Sequence, residues 1–129
     1  MASLEALRGG EVVFSSDGRW LVPLLELDAF LAETGIRGSD LSVRDRVVGR
    51  AAALMLAGLG VAEVEAGILS RSANDVLGRF TIPCRWRELV DAIGCATERE
   101  LAAVWDPDVA WALVRERAAR SRNAGMQPL

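Results

Sequence analysis

The chain has 129 residues, 51% hydrophobic and 26% charged, which is room for one globular domain and little more. Fifteen basic against eighteen acidic groups leave a net charge of −3, which argues against a nucleic-acid binder acting by bulk charge, because neutralising phosphates takes a clustered positive surface. Every basic residue is Arg, and Lys, His and Tyr are absent; a His-ligated metal, a Ser-His-Asp triad, a His general base, a Schiff-base Lys and a P-loop Lys are thereby excluded.

Taken in chain order, residues 11–14 and 19–22 are short apolar runs on either side of Ser15-Ser16-Asp17-Gly18. Asp-Gly supplies the positive φ of a hairpin turn, so two antiparallel strands are expected there. Pro23 stops the second strand. Leu24, Leu27 and Leu31, with Leu25 and Phe30, repeat at helical spacing through Thr34, and Gly35 is the expected C-terminal cap. Residues 41–43 read as a brief strand. From Asp45 the pattern predicts a buried helix, because Val47, Val48, Ala51, Ala52, Leu54, Met55 and Leu56 are apolar on nearly every side; Gly58-Leu59-Gly60 ends it. Residues 61–69 alternate, with Ala62, Val64, Ala66 and Ile68 on one face and Glu63, Glu65 and Gly67 on the other, the pattern of a half-buried strand.

Ser70 is the expected N-cap of a further helix that ends near Gly78. Residues 83–89 read as a strand and 98–104 as a short helix. A longer helix follows over 107–120, with Pro107 in its first turn. Residues 121–129 read as a flexible tail. The expected organisation is a single domain over 1–129 with its core over about 11–104. The order of elements implies an α/β fold, a three-layer sandwich with a mixed central sheet and helices on both faces.

Residues 1–10 lack the basic start and apolar run of a secretory signal. No stretch approaches the roughly 18 to 20 apolar residues of a membrane helix. A cytoplasmic protein with no membrane partner is expected, with Cys84 and Cys95 as reduced thiols. The Arg-only, Ala-rich composition suggests a GC-rich bacterial source.

The most distinctive segment is Val43-Arg44-Asp45-Arg46-Val47-Val48-Gly49-Arg50-Ala51-Ala52-Ala53. Together with Ile68-Leu69-Ser70-Arg71-Ser72-Ala73 and Cys95-Ala96-Thr97-Glu98, it resembles a small family of prokaryotic domains of unknown function with a cytidine-deaminase-like fold. The resemblance spans about residues 11–103. Arg46 and Arg50 stand where the family usually has Lys, and Ala96-Thr97 where it has Pro-Met. Zinc deaminases carry His-x-Glu on one helix and Pro-Cys-x-x-Cys on the next. The resemblance places those helix starts near Asp45 and Ser70, where neither motif is present, so it implies the fold without the metal.

In such a topology two helix N-termini meet at one end of the sheet, where free N–H groups and aligned dipoles favour an anion. The leading expectation is a cofactor-free site for an anionic small molecule, a nucleotide among the candidates. Asp45, Arg46, Gly49, Ser70, Arg71 and Ser72 would line it, with Arg forks matched to phosphate or carboxylate. Set against this, Asp45, Ser70 and Ser72 read equally as helix caps, and Arg46 and Arg50 as an exposed i,i+4 pair. A second expectation is an enzyme or sulfur carrier that uses Cys95 at a helix N-terminus as nucleophile, with Glu98 or Asp45 beside it as catalytic partners. The third is a non-catalytic module that homo-oligomerises or regulates a partner. Arg85 and Arg87 read either as a solvated strand edge or as a pocket rim, and Trp105 and Trp111 as anchors of the terminal helices.

Overall fold

The computed structural model describes residues 2–126. Strands β1 (Leu4–Arg8) and β2 (Glu11–Ser16) form a hairpin across Gly9-Gly10. The two glycines sit at φ +58° and +83°, the positive values that both central residues of a two-residue hairpin turn require. The hairpin expected around Asp17-Gly18 is therefore corrected: residues 11–14 belong to its second strand, and 19–22 to the approach to a helix. Ser16 Oγ donates to Glu26 at 2.6 Å and accepts the N–H of Gly18 at 3.0 Å, which turns the chain into α1 (Val22–Thr34). Gly35 caps α1 at φ 74°, its N–H bonded to Leu31 O at 3.0 Å.

A 3-10 turn, Gly38–Asp40, leads into β3 (Ser42–Val48), the central strand. It pairs antiparallel with β1 and parallel with β4 (Glu63–Ser70). The helix expected from Asp45 starts instead at Arg50, as α2 (Arg50–Leu59), after Gly49 in extended conformation. The parallel ladder with β4 holds Val47 and Val48 extended, beyond the β1 pairing that ends at Asp45, and overrides the helical spacing of the apolar side chains. Residues 51–56 of α2 are all buried, as its composition predicts, and Arg50 is buried with them, against expectation. In β4, Val64 and Ala66 are buried while Glu63 and Glu65 are exposed, the expected alternation, although Ala62 is exposed.

Ser70 caps α3 (Arg71–Arg79) by accepting the N–H of Ala73 at 3.0 Å. β5 (Cys84–Val90) pairs parallel with β4 and closes the sheet order β2-β1-β3-β4-β5. The short helix α4 spans Ala96–Glu100, shifted toward the N-terminus of the expected 98–104. The last helix, α5 (Pro107–Met126), runs through 121–126, part of the expected flexible tail; 127–129 lie outside the described residues.

The fold is α/β with a mixed five-stranded sheet, consistent with a three-layer arrangement. Leu4, Ala6, Val43, Val64 and Ala66 share the core with Leu24 and Leu27 of α1, residues 51–56 of α2, and Val76 and Leu77 of α3. Helix α5 packs on α2, so the third layer lies behind the helices rather than across the sheet. Trp111 anchors it: the indole is buried and donates to Met55 O at 3.1 Å. Gly58 makes room, since a Cβ there would lie 2.7 Å from the Trp111 Nε1. No helix among the described residues is long and apolar enough to cross a membrane.

Candidate small-molecule site

A cavity of about 370 Å³ opens at the C-terminal end of β3, the place where open α/β sheets present ligand sites. Asp45 and Arg46 enter it from the strand, Gly49 from the start of α2, and Cys95 and Glu98 from the α4 segment. Trp20 forms a further wall; its φ of 57° is unusual for a bulky residue and aims the half-exposed ring over the opening.

Burial in the central strand pushes the Asp45 carboxyl up to about 7, against the opposing pull of the Val47 and Arg46 N–H groups. It has no salt-bridge partner among the described residues. Such a group donates or accepts a hydrogen bond near neutral pH.

Glu98 has a different task. Its carboxylate accepts the backbone N–H groups of Arg50 and of Ala51, the latter at 3.0 Å. The anion at the α2 N-terminus is therefore part of the protein, and it complements the helix dipole. Gly49 follows from this contact: a Cβ there would lie 2.5–2.8 Å from the Glu98 carboxylate atoms.

Arg50 is a second feature absent from the expectations. Rather than forming an exposed pair with Arg46, it is 3% exposed. Nε and Nη2 donate to Val104 O at 3.0 and 2.6 Å, and Nη1 donates to Ser72 Oγ at 2.8 Å. The guanidinium stacks 4.4 Å from the Trp105 ring, whose other neighbour is Arg79 at 4.8 Å. Burial pulls the Arg50 pKa below its ordinary value, opposed by the charges of Glu98 and Asp75.

The structure divides the expected site residues into two groups. Asp45, Arg46, Gly49, Cys95 and Glu98 line one cavity. Asp45 and Arg46 do so from a strand, not from the first turn of a helix. Ser70, Arg71 and Ser72 are absent from that lining. Ser70 is a buried cap, Ser72 accepts from Arg50, and Arg71 pairs with Asp91 at 2.8 Å in solvent. Cys95 is half-buried, its Sγ 3.4 Å from Thr97 Oγ1, which also accepts the Trp20 Nε1–H at 3.4 Å. Cys84 and Cys95 are free thiols, and burial raises the pKa of Cys84.

Sequence reasoning missed Arg50, Trp20 and Thr97 as parts of this region. Spacing carries no trace of the first, whose partners lie 22 and 54 residues away. Trp20 follows Gly18-Arg19, and no local pattern marks its positive φ.

The family model of the domain of unknown function DUF1893, typified by TM1506, matches residues 3–117. The chain belongs to the DUF1893 family. No curated protein matches it. Among solved structures it is similar to the DUF1893 family protein TM1506 of Thermotoga maritima. The identity is 23% and the TM-score 0.78, over 90% of this chain and 80% of that one, which is a likeness of fold.

Proposed function

We propose that this DUF1893 domain is a zinc-free, cytidine-deaminase-like scaffold of a bacterial cytoplasm that binds an anionic small molecule in the Asp45 cavity. The observation that carries the reading is the convergence of Asp45 and Arg46 of β3 with Cys95 of the α4 segment on one opening of ligand size. The deaminase-like part is supported by the strand order, with helices crossing from β3 to β4 and from β4 to β5. The residues present do not fit a zinc ion: the chain has no His, and no cluster of three His, Cys, Asp or Glu side chains occurs among the described residues. With the α2 amides taken by Glu98, the anionic group falls to Arg46 and Arg19, both exposed at the rim. Asp45 makes the neutral polar contact and Trp20 the apolar one.

The test is a thermal-shift series with nucleotides, sugar phosphates and small carboxylates, repeated with Arg46→Ala and Asp45→Asn. A ligand at 100 times its Kd adds about 2.7 kcal/mol, a rise of several degrees that both variants should diminish. No shift from any compound, or one indifferent to both substitutions, refutes the reading.

A second reading has Cys95 as a nucleophile or sulfur carrier, supported by its opening into the same cavity as Asp45. Glu98 holds α2, so the thiol proton would pass to Asp45. Selective alkylation of Cys95 over Cys84 at neutral pH, slowed in Asp45→Asn, is the expected result; equal and sluggish reaction of both thiols removes it.

A further inference from the structure

The sheet face turned away from the helices carries a second, larger cavity of about 470 Å³. Strand register lays Glu5, Arg44, Glu65 and Arg85 side by side across β1, β3, β4 and β5. Arg44 bridges both acids, at 3.8 Å to Glu5 and 3.1 Å to Glu65. Arg46 and Arg87 flank Gly67 in the row that falls between the pairs Asp45–Ala66–Trp86 and Val47–Ile68–Glu88. Arg46, Arg85 and Arg87 are exposed and enter no salt bridge among the described residues. A chain of net charge −3 has thus left three guanidinium groups unpaired on one open face.

We propose that this face is a second site, centred on Arg85 and Arg87 and adjoining the Asp45 cavity, with which it shares Arg46, for a phosphate-bearing small anion, a phosphate monoester or a diphosphate. Arg85 and Arg87 stand about 7 Å apart along β5, and Arg46 and Arg87 about 10 Å apart across β4. Three flexible arms at these separations can close on one multivalent anion, and guanidinium forks match phosphate oxygens in two-point contacts. Gly67 keeps the floor between them open. A Cβ there would lie 2.6 Å from the Arg46 carbonyl, so backbone approach excludes any side chain that would fill the gap. The size of the cavity sets the size of the occupant.

The experiment is calorimetric titration of the full chain with inorganic pyrophosphate at low salt, repeated with the Arg85→Ala/Arg87→Ala double variant and with Arg87→Gln alone. Neither position lines the Asp45 cavity, so failure here leaves that reading standing, and Trp20→Ala tests that cavity without touching this face. The expected result is saturable one-to-one binding, weakened at least tenfold in the double variant, weakened in Arg87→Gln, and unchanged by Trp20→Ala. Absence of saturation, or equal binding by the arginine variants, overturns the proposal. Tighter binding of single-stranded oligonucleotides, growing with their length, overturns it in favour of nucleic acid.

Discussion

The Glu98 carboxylate ties the α4 segment to the α2 N-terminus, and its removal has a calculable outcome. Glu98→Ala withdraws a charged acceptor from the Arg50 and Ala51 amides, at the start of a helix whose first seven residues are buried. A hydrogen bond to a charged group contributes about 1.5–3 kcal/mol and a lost helix cap costs about 0.5–2 kcal/mol. Water entering from the cavity can satisfy part of the deficit, which puts the expected loss near 3 kcal/mol rather than at the sum. For a chain of this length that is a fall in Tm of about 10 °C.

Gly49 supplies the control. Its substitution by Ala places a methyl group within 2.5–2.8 Å of the carboxylate. The carboxylate is the mobile end of its side chain and can move, but moving it breaks the same two hydrogen bonds. Gly49→Ala should therefore cost about 2 kcal/mol in the parent and much less in Glu98→Ala, a coupling of at least about 1 kcal/mol in a double-mutant cycle. Urea titrations of the four proteins measure it. Phosphate should stabilise Glu98→Ala more than the parent, since the vacated amides are an anion site. A Glu98→Ala loss below about 1 kcal/mol, or strict additivity with Gly49→Ala, refutes the account of both residues.

Other outcomes follow from the same geometry. The Asp45 carboxyl is raised to about 7 by burial, so between about pH 4 and 7 the folded chain holds a proton that the unfolded chain has released, and stability from this group falls as pH rises through that window. Asp45→Asn should flatten the urea midpoint over pH 4–8 and exceed the parent in stability above pH 7; parallel curves would disprove it. Arg50→Met should cost about 3–5 kcal/mol by stranding Val104 O and Ser72, and Arg50→Lys should not restore the loss because it lacks the planar fork that meets both and stacks on Trp105. Trp111→Phe keeps most of the apolar contact but orphans Met55 O, an expected cost of about 1–2 kcal/mol by thermal melts.

Much of the fold was legible locally. Gly35 and Ser70 act as the caps their positions suggest, Pro107 opens α5, and the period of two in β4 survives in the burial of Val64 and Ala66. The failures share one cause, a local pattern outranked by pairing at a distance. The Val47, Val48, Ala51, Ala52 series has helical spacing, yet the register of β3 with β4 holds its first half extended. Gly49, an acceptable N-cap, was the mark of the true boundary. Gly9-Gly10, a two-residue turn between alternating runs, was a stronger hairpin signal than Asp17-Gly18. The Glu98 contact spans 47 and 48 residues, and nothing in the local sequence announces it. Cys95, Glu98 and Asp45 are legible as chemically interesting residues, whereas the cap that Glu98 supplies to α2 is not.

That cap changes what kind of ligand the domain can hold. Had the α2 amides been free, they would have bound an anion through fixed dipoles and demanded little of the side chains. With Glu98 seated there, a second anion approaching α2 meets a negative charge at contact distance, and its carboxylate or phosphate must turn outward to Arg46 and Arg19. What faces the interior is then the uncharged part of the ligand, opposite Asp45. A carboxyl held near 7 without a cation beside it destabilises the folded state at neutral pH, whereas an Ala or Val between Leu4 and Ala66 would not. Such a cost is common at sites kept for binding or chemistry. The same Asp45→Asn chain should therefore gain stability and lose ligand affinity together, and a variant that gained the first without losing the second would reduce Asp45 to a structural accident.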